Sequence, residues 1–143
     1  KKIFIILLTI LLIGCQSHKT VEEKSLSKDI TLSFYYIQSC SECKLFKTKV
    51  IPLLEQTFNE QITINQYDLD DEGTESIYDS TIDQLEEFDY EYYGMGPFIV
   101  VEGYFGKLGY TEGDEDYLID DIINAVEGNE LSDELGAFRF MYK

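Results

Sequence analysis

Nothing limits the possible folds of this chain so sharply as a pair of cysteines set where its hydrophobic pattern changes period. From Ile30 to Ile37 β-branched and aromatic residues crowd together, as in a buried strand. Beyond the cysteines, Phe46, Val50, Leu53, Leu54 and Phe58 recur at helical pitch, with Lys44, Lys47 and Lys49 among them. Cys40-Ser41-Glu42-Cys43 lies in the bend between strand and helix. Two intervening residues let a helix N-terminus hold both sulfurs within bonding distance. The unpaired backbone N–H groups of that terminus favour a thiolate on the first sulfur. Cys40 is therefore expected to be the nucleophile of a dithiol and Cys43 its resolving thiol.

The rest of the chain continues the alternation. Gln61 to Asp68 reads as a second strand, with Ile62 and Ile64 on one face, followed by an acidic loop from Asp68 to Glu75. A second helix is predicted from about Ser76 to Tyr90, with Ile82, Leu85 and Phe88 facing inward. Pro97 to Glu102 reads as a third strand. Gly103 and Gly106 mark a turn, and Lys107 to Thr111 reads as a fourth strand. Gly113-Asp114-Glu115-Asp116 opens a last helix, its acids in the first turn where the macrodipole favours them. Leu118, Ile119, Ile122, Ile123 and Val126 form that helix's stripe, and Gly128 is a good stop. Pro52 is expected to kink the first helix. Glu130 to Lys143 has no period beyond the alternation of Phe138, Phe140 and Tyr142, which is compatible with a short added strand. The order β-α-β-α-β-β-α predicts an α/β fold: a central mixed sheet flanked by helices.

The N-terminus has its own pattern. Lys1 and Lys2 precede an apolar run, Ile3 to Ile13, interrupted only by Thr9. The run is short for a bilayer span, which needs ~20 residues, and fits the apolar region of an export signal. It ends in Leu12-Ile13-Gly14-Cys15, which resembles a bacterial lipobox. Residues 1–14 are thus expected to be a lipoprotein signal peptide, with Cys15 the acylated (palmitate-bearing) residue. Residues 15–29, which hold the single histidine, His18, read as a polar tether. Residues 30–128 form the folded domain and 129–143 a C-terminal extension. The expected location is the extracytoplasmic face of a bacterial cell membrane, where disulfides persist.

Composition narrows the function. The chain carries 11 Lys and Arg against 28 Asp and Glu, a formal net charge of −17, which argues against a nucleic-acid partner. Apolar residues make up 44%, enough for an ordinary core. One histidine cannot support a multi-histidine metal site, and structural zinc needs four N or S ligands, so no metal is expected. A Cu(I) site on Cys40 and Cys43, with Met95 as third ligand, is the metal alternative. Asp68 to Gly73 partly matches a calcium loop, but Glu75 and Asp79 depart from it and the flanks are strand and helix, so it reads as a solvated acidic loop. Tyr90, Tyr92 and Tyr93 either pack near the Pro97 loop or line a substrate groove.

With Cys40-Ser41-Glu42-Cys43 at a strand-to-helix turn, Pro97 opening the third strand and this element order, the chain resembles the thioredoxin family from roughly Ile30 to Gly128. The resemblance implies a thioredoxin-like fold, thiol–disulfide oxidoreductase activity without a cofactor, and protein thiols or disulfides as partners. It implies a cis-proline at Pro97 facing the disulfide, with the Gly96–Pro97 backbone receiving an extended substrate. A membrane electron donor follows from the expected location. The chain departs from the family at Ser39, where a Trp precedes the first cysteine, at Phe34, where a buried acid stands, and at Phe98, where Thr commonly follows the cis-proline. Pro52 lies further along its helix than in thioredoxin. The segment from Cys43 to Leu54 is similar to exported thioredoxin-like proteins, including accessory proteins encoded with some bacteriocins. Glu42 opposes a thiolate on Cys40, which points to a reductase or isomerase over a strong oxidase. The alternative is a non-catalytic binding or accessory lipoprotein.

Overall fold

The structure, a computed structural model, describes residues 20–143. The leader and Cys15 lie outside the described residues, as does His18. The chain forms a mixed five-stranded sheet flanked by helices. Its strands are β1 (Ile30–Tyr36), β2 (Ile62–Asp68), β3 (Phe98–Val101), β4 (Phe105–Leu108) and β5 (Arg139–Met141), in the spatial order β2-β1-β3-β4-β5. β1 and β2 run parallel, and the remaining neighbours are antiparallel. The helices are α1 (Ser41–Leu45), α2 (Ile51–Phe58), α3 (Glu75–Ile82) and α4 (Glu115–Glu127).

β3 is buried at every position because both faces of the sheet are covered. Ile99 and Val101 join Leu32, Phe34, Phe46, Leu54 and Ile122 in the larger core beneath α1, α2 and α4. Phe98 and Val100 point the other way, to Tyr35, Tyr78, Ile82 and Leu85. The period-two alternation of a strand thus splits one apolar run between two cores. Tyr35, inside the second core, donates to or accepts from Thr81 Oγ1 at 2.8 Å, which satisfies its hydroxyl.

Pro52 acts earlier in the helix than a simple kink. Its ring nitrogen has no hydrogen to donate, and the chain widens into a π turn over Phe46–Val50. There the Ile51 N–H reaches the Phe46 carbonyl, one residue further back than in an α-helix. Phe46, Val50, Ile51 and Leu54 all stay buried across the turn.

Several boundaries differ from the sequence expectation. The second helix ends at Ile82, not near Tyr90. Leu85 instead bridges to Tyr142, and the Glu86 N–H donates to the Met141 carbonyl at 2.7 Å. The C-terminal strand thus takes over backbone groups that a longer helix would have used. Phe88 packs against Phe140 and Phe98. The fourth strand begins at Phe105, since the Glu102–Tyr104 turn is tighter than the glycine spacing implies. Gly128 ends α4 at φ 74°, the left-handed position expected of it.

The segments on either side of residues 30–128 are built into the same body. Leu26, in the stretch expected as tether, is buried, and its backbone exchanges two hydrogen bonds with the Gln61 amide at 2.9 and 2.8 Å. The Lys24 N–H donates to the Thr57 carbonyl at 2.7 Å. In the C-terminal extension Leu135 enters the larger core, and Arg139 pairs with the fully buried Asp121 at 3.0 Å. Asp121 also accepts the Ser132 N–H at 2.7 Å. Of the alternating Phe138, Phe140 and Tyr142, Phe140 lies within β5, which pairs with β4, and the other two flank the strand.

Candidate functional site

The site begins with the register of two strands. β1 pairs with β3 so that Tyr35 stands opposite Phe98. That register carries Gly96 and Pro97, just ahead of β3, to the C-terminal end of β1, where the cysteine bend starts. Cys40 occupies the N-cap of α1 in extended conformation. Its Sγ accepts the Cys43 backbone N–H at 3.1 Å, the place a Ser or Asp oxygen takes in an ordinary cap. Cys40 and Cys43 are joined in a disulfide. Cys40 is partly exposed, while Cys43 is only 2% exposed.

Gly96 faces this pair directly. Its carbonyl oxygen lies 3.6 Å from Cys40 Sγ. A Cβ on Gly96 would come within 3.3 Å of Cys43 Sγ and 3.4 Å of the Tyr35 carbonyl oxygen, so glycine permits the close approach. The Gly96–Pro97 peptide bond is cis. Pro97 is buried, and its carbonyl accepts the Gly109 N–H at 2.8 Å, which holds the loop against β4. The four residues singled out from the sequence, Cys40, Cys43, Gly96 and Pro97, therefore meet in one place.

Phe34 is fully buried and stacks on Phe46 at 4.9 Å between ring centroids. The position where a buried acid would stand is thus sealed by apolar rings. Sequence reasoning misses Tyr36 and Lys47: the Lys47 ammonium sits over the Tyr36 ring, 4.7 Å from its centroid, at the end of β1. Aromatic residue and lysine are eleven positions apart in the chain, with no local pattern to link them.

The acidic loop satisfies its own backbone. Asp68 accepts the Asp70 N–H at 3.0 Å and Asp71 the Gly73 N–H at 2.9 Å. Among the described residues no group of three His, Cys, Asp or Glu side chains converges as metal ligands. Among them also, no helix is long and apolar enough to cross a membrane. Met95 is exposed, two residues before Pro97. The tyrosine cluster is divided: Tyr92 packs against the second core, while Tyr90 and Tyr93 face solvent.

Chemically, a partly exposed sulfur at a helix N-terminus, bonded to a buried one, offers a single accessible point of attack. No family model, curated protein or solved structure matches the chain.

Proposed function

We propose that this protein is a membrane-tethered, extracytoplasmic thiol–disulfide oxidoreductase of thioredoxin-like fold, held to the membrane through an acylated Cys15. The observation that carries the reading is the Cys40–Cys43 pair at the α1 N-terminus with the Gly96 carbonyl 3.6 Å from Cys40 Sγ. In the reduced protein the Cys40 thiolate attacks one sulfur of a substrate disulfide. The substrate S–S bond breaks, a mixed disulfide forms, and the first substrate sulfur leaves as a thiolate that takes a proton from solvent. Cys43 then gives up its proton and attacks Cys40 Sγ, releasing the second substrate thiol and leaving the Cys40–Cys43 disulfide. Two electrons pass from protein to substrate, and a dithiol donor at the membrane restores them.

The Cys43 N–H, already 3.1 Å from Cys40 Sγ, favours the thiolate when Cys40 is free. The buried Cys43 is out of reach of a bulky substrate, so the order of events is set by exposure. Glu42 is exposed beside the pair and opposes the negative sulfur. The couple is accordingly comparatively reducing, about −200 to −270 mV on the scale where thioredoxin lies near −270 and the strong periplasmic oxidant near −120.

Reduction of a protein disulfide by the wild type and Cys40→Ser, with a dithiol as electron source, tests the activity. Cys40-dependent turnover is expected. Equal rates for the two proteins would replace the reading with a binding role. Equilibration with glutathione tests the poise, and a potential above about −150 mV would make the protein an oxidase.

A further inference from the structure

The loop leading into Gly96 exposes an unusual amount of apolar surface. Tyr90 is 64% exposed, Tyr93 42%, Met95 49% and Phe138, from the neighbouring C-terminal segment, 51%. Ring contacts join them in two pairs. Tyr90 and Tyr93 stack at 6.4 Å, and Tyr92 meets Phe138 edge-on at 5.1 Å. The apron is also pinned in place. The Tyr93 hydroxyl donates to Asp79 at 2.6 Å, the Gly94 N–H donates to the Tyr78 hydroxyl at 3.1 Å, and the Met95 N–H donates to the Tyr92 carbonyl at 3.1 Å. Glu87 and Phe138, at its edges, hold φ values of 51° and 54°. Such backbone in bulky residues persists only where the surroundings over-determine it. A surface fixed in advance loses little freedom when something lands on it.

The charge around Tyr90, Tyr93 and Met95 is acidic, and the cations Lys107, 6.0 Å from the centroid of the Phe138 ring, and Lys143, whose ammonium donates to the Asp83 carbonyl at 2.6 Å, stand at the C-terminal edge of the apron. From Asp68 to Gly96 the chain carries eleven carboxylates and no Lys, Arg or His, and ten of the eleven are exposed. No cationic residue occurs anywhere from Val50 to Gly106. Lys44 and Lys47 lie beyond the cysteines, with Lys47 engaged over Tyr36. An acidic polypeptide or an anionic lipid surface would be repelled here, whereas Lys and Arg gain both the field and the tyrosine faces.

We propose that this apron receives the segment flanking a substrate cysteine, and that the partner is a cationic polypeptide carrying aromatic or aliphatic side chains beside its basic ones. The inference rests on the thiol–disulfide reading for its chemistry, and it names the substrate class of that same site. The polypeptide lies along Tyr90, Tyr93 and Met95, which brings its cysteine past Gly96 to Cys40. The carboxylates speed and orient its arrival, and the apolar contacts hold it.

Docking is separable from exchange. Three labelled, cysteine-free peptides of equal length would be titrated against the full chain in neutral detergent, by fluorescence anisotropy. One bears lysine and phenylalanine, one lysine with serine replacing phenylalanine, and one glutamate and phenylalanine. The first should bind at least ~10-fold more tightly than either other, and its advantage over the glutamate peptide should shrink with added salt. Asp89→Lys/Glu91→Lys should weaken it ~10-fold, while Asp116→Lys/Asp120→Lys, on α4 across the sheet, should change it less than ~2-fold. Equal weakening by the two pairs, equal binding of the glutamate peptide, or no measurable binding would overturn the proposal. Cys40-dependent exchange with a small neutral disulfide is measured beside it. Failure there sinks the redox reading, whereas failure of the peptide series sinks only the docking surface.

Discussion

The backbone N–H of Cys43 lies 3.1 Å from Cys40 Sγ, so the sulfur of one cysteine caps the helix that buries the other. This single contact makes two chemically identical residues unequal. Cys40 gains exposure and a donor, and Cys43 gains burial with Phe34 and Phe46 in the larger core.

The first consequence is a difference in trapping. Cys43→Ala should accumulate mixed disulfides with substrate proteins, because nothing remains to resolve them. Cys40→Ala should accumulate few, since Cys43 is 2% exposed. Non-reducing electrophoresis of the two variants after incubation with a protein disulfide reads the outcome. Equal trapping would contradict the assigned roles.

Gly96→Ala should damage exchange and cost some stability. Its added Cβ falls 3.3 Å from Cys43 Sγ and 3.4 Å from a backbone oxygen that cannot move freely. Overpacking of this kind costs about 1–3 kcal/mol. Displacing the Gly96 carbonyl from Cys40 should slow protein-disulfide reduction by ~10-fold or more. Urea unfolding and the reduction assay together check it. A variant as fast as wild type would show that the Gly96 approach is not used.

Arg139→Ala should destabilise the domain by about 3–5 kcal/mol, because it leaves the fully buried Asp121 without its cation. The Ser132 carbonyl, which also accepts from Arg139 at 2.8 Å, loses its partner too. Chemical denaturation measures this. A loss below about 1 kcal/mol would mean that β5 is a peripheral attachment instead of part of the fold.

Acid should weaken the contact between the π turn over Phe46–Val50 and the start of α4. Burial alone would raise the Glu115 carboxyl, but Lys49 at 2.8 Å and backbone N–H groups, including that of Gly113 at 2.7 Å, hold it below its ordinary 4.5. Its folded pKa lies below its unfolded one. The stabilisation is therefore complete above about 4.5 and is lost as pH falls through the folded value. Glu115→Gln should remove that part of the acid dependence and lower stability near neutrality by about 1–2 kcal/mol. Urea midpoints from about pH 7 down to about pH 3, on the same protein, give the comparison.

Tyr93 should titrate late. Its hydrogen bond to Asp79 holds the phenol protonated up to about 12, with partial burial adding to the effect. The contribution is present below pH 10 and disappears as pH rises toward 12. Asp79→Ala should return one phenol to the ordinary range in an ultraviolet titration. An unchanged titration would mean that the apron is not anchored through this bond.

Strands and helices of strong period are legible in the sequence alone. Ile30 to Tyr36, the stripe of α4 and the Gly128 stop depend on side chains within a few residues of one another, and the period-two or period-3.6 pattern records them. Cys40 and Cys43 are legible as a pair because spacing and turn position carry their chemistry, whereas Gly96 and Pro97 are placed with them only through the family resemblance. What only the tertiary structure decided involves groups far apart in the chain. The α3 helix stops at Ile82 because β5, more than fifty residues later, supplies the partner for Glu86. Leu26 leaves the expected tether because Gln61 can satisfy both its backbone groups. Phe138 meets Tyr92 from more than forty residues away, and the place of Gly96 beside the disulfide follows from the Tyr35–Phe98 register. Local pattern records how each segment prefers to curl or extend. It does not record which distant backbone groups will remain unpaired, and that requirement sets the register, the ends and the site.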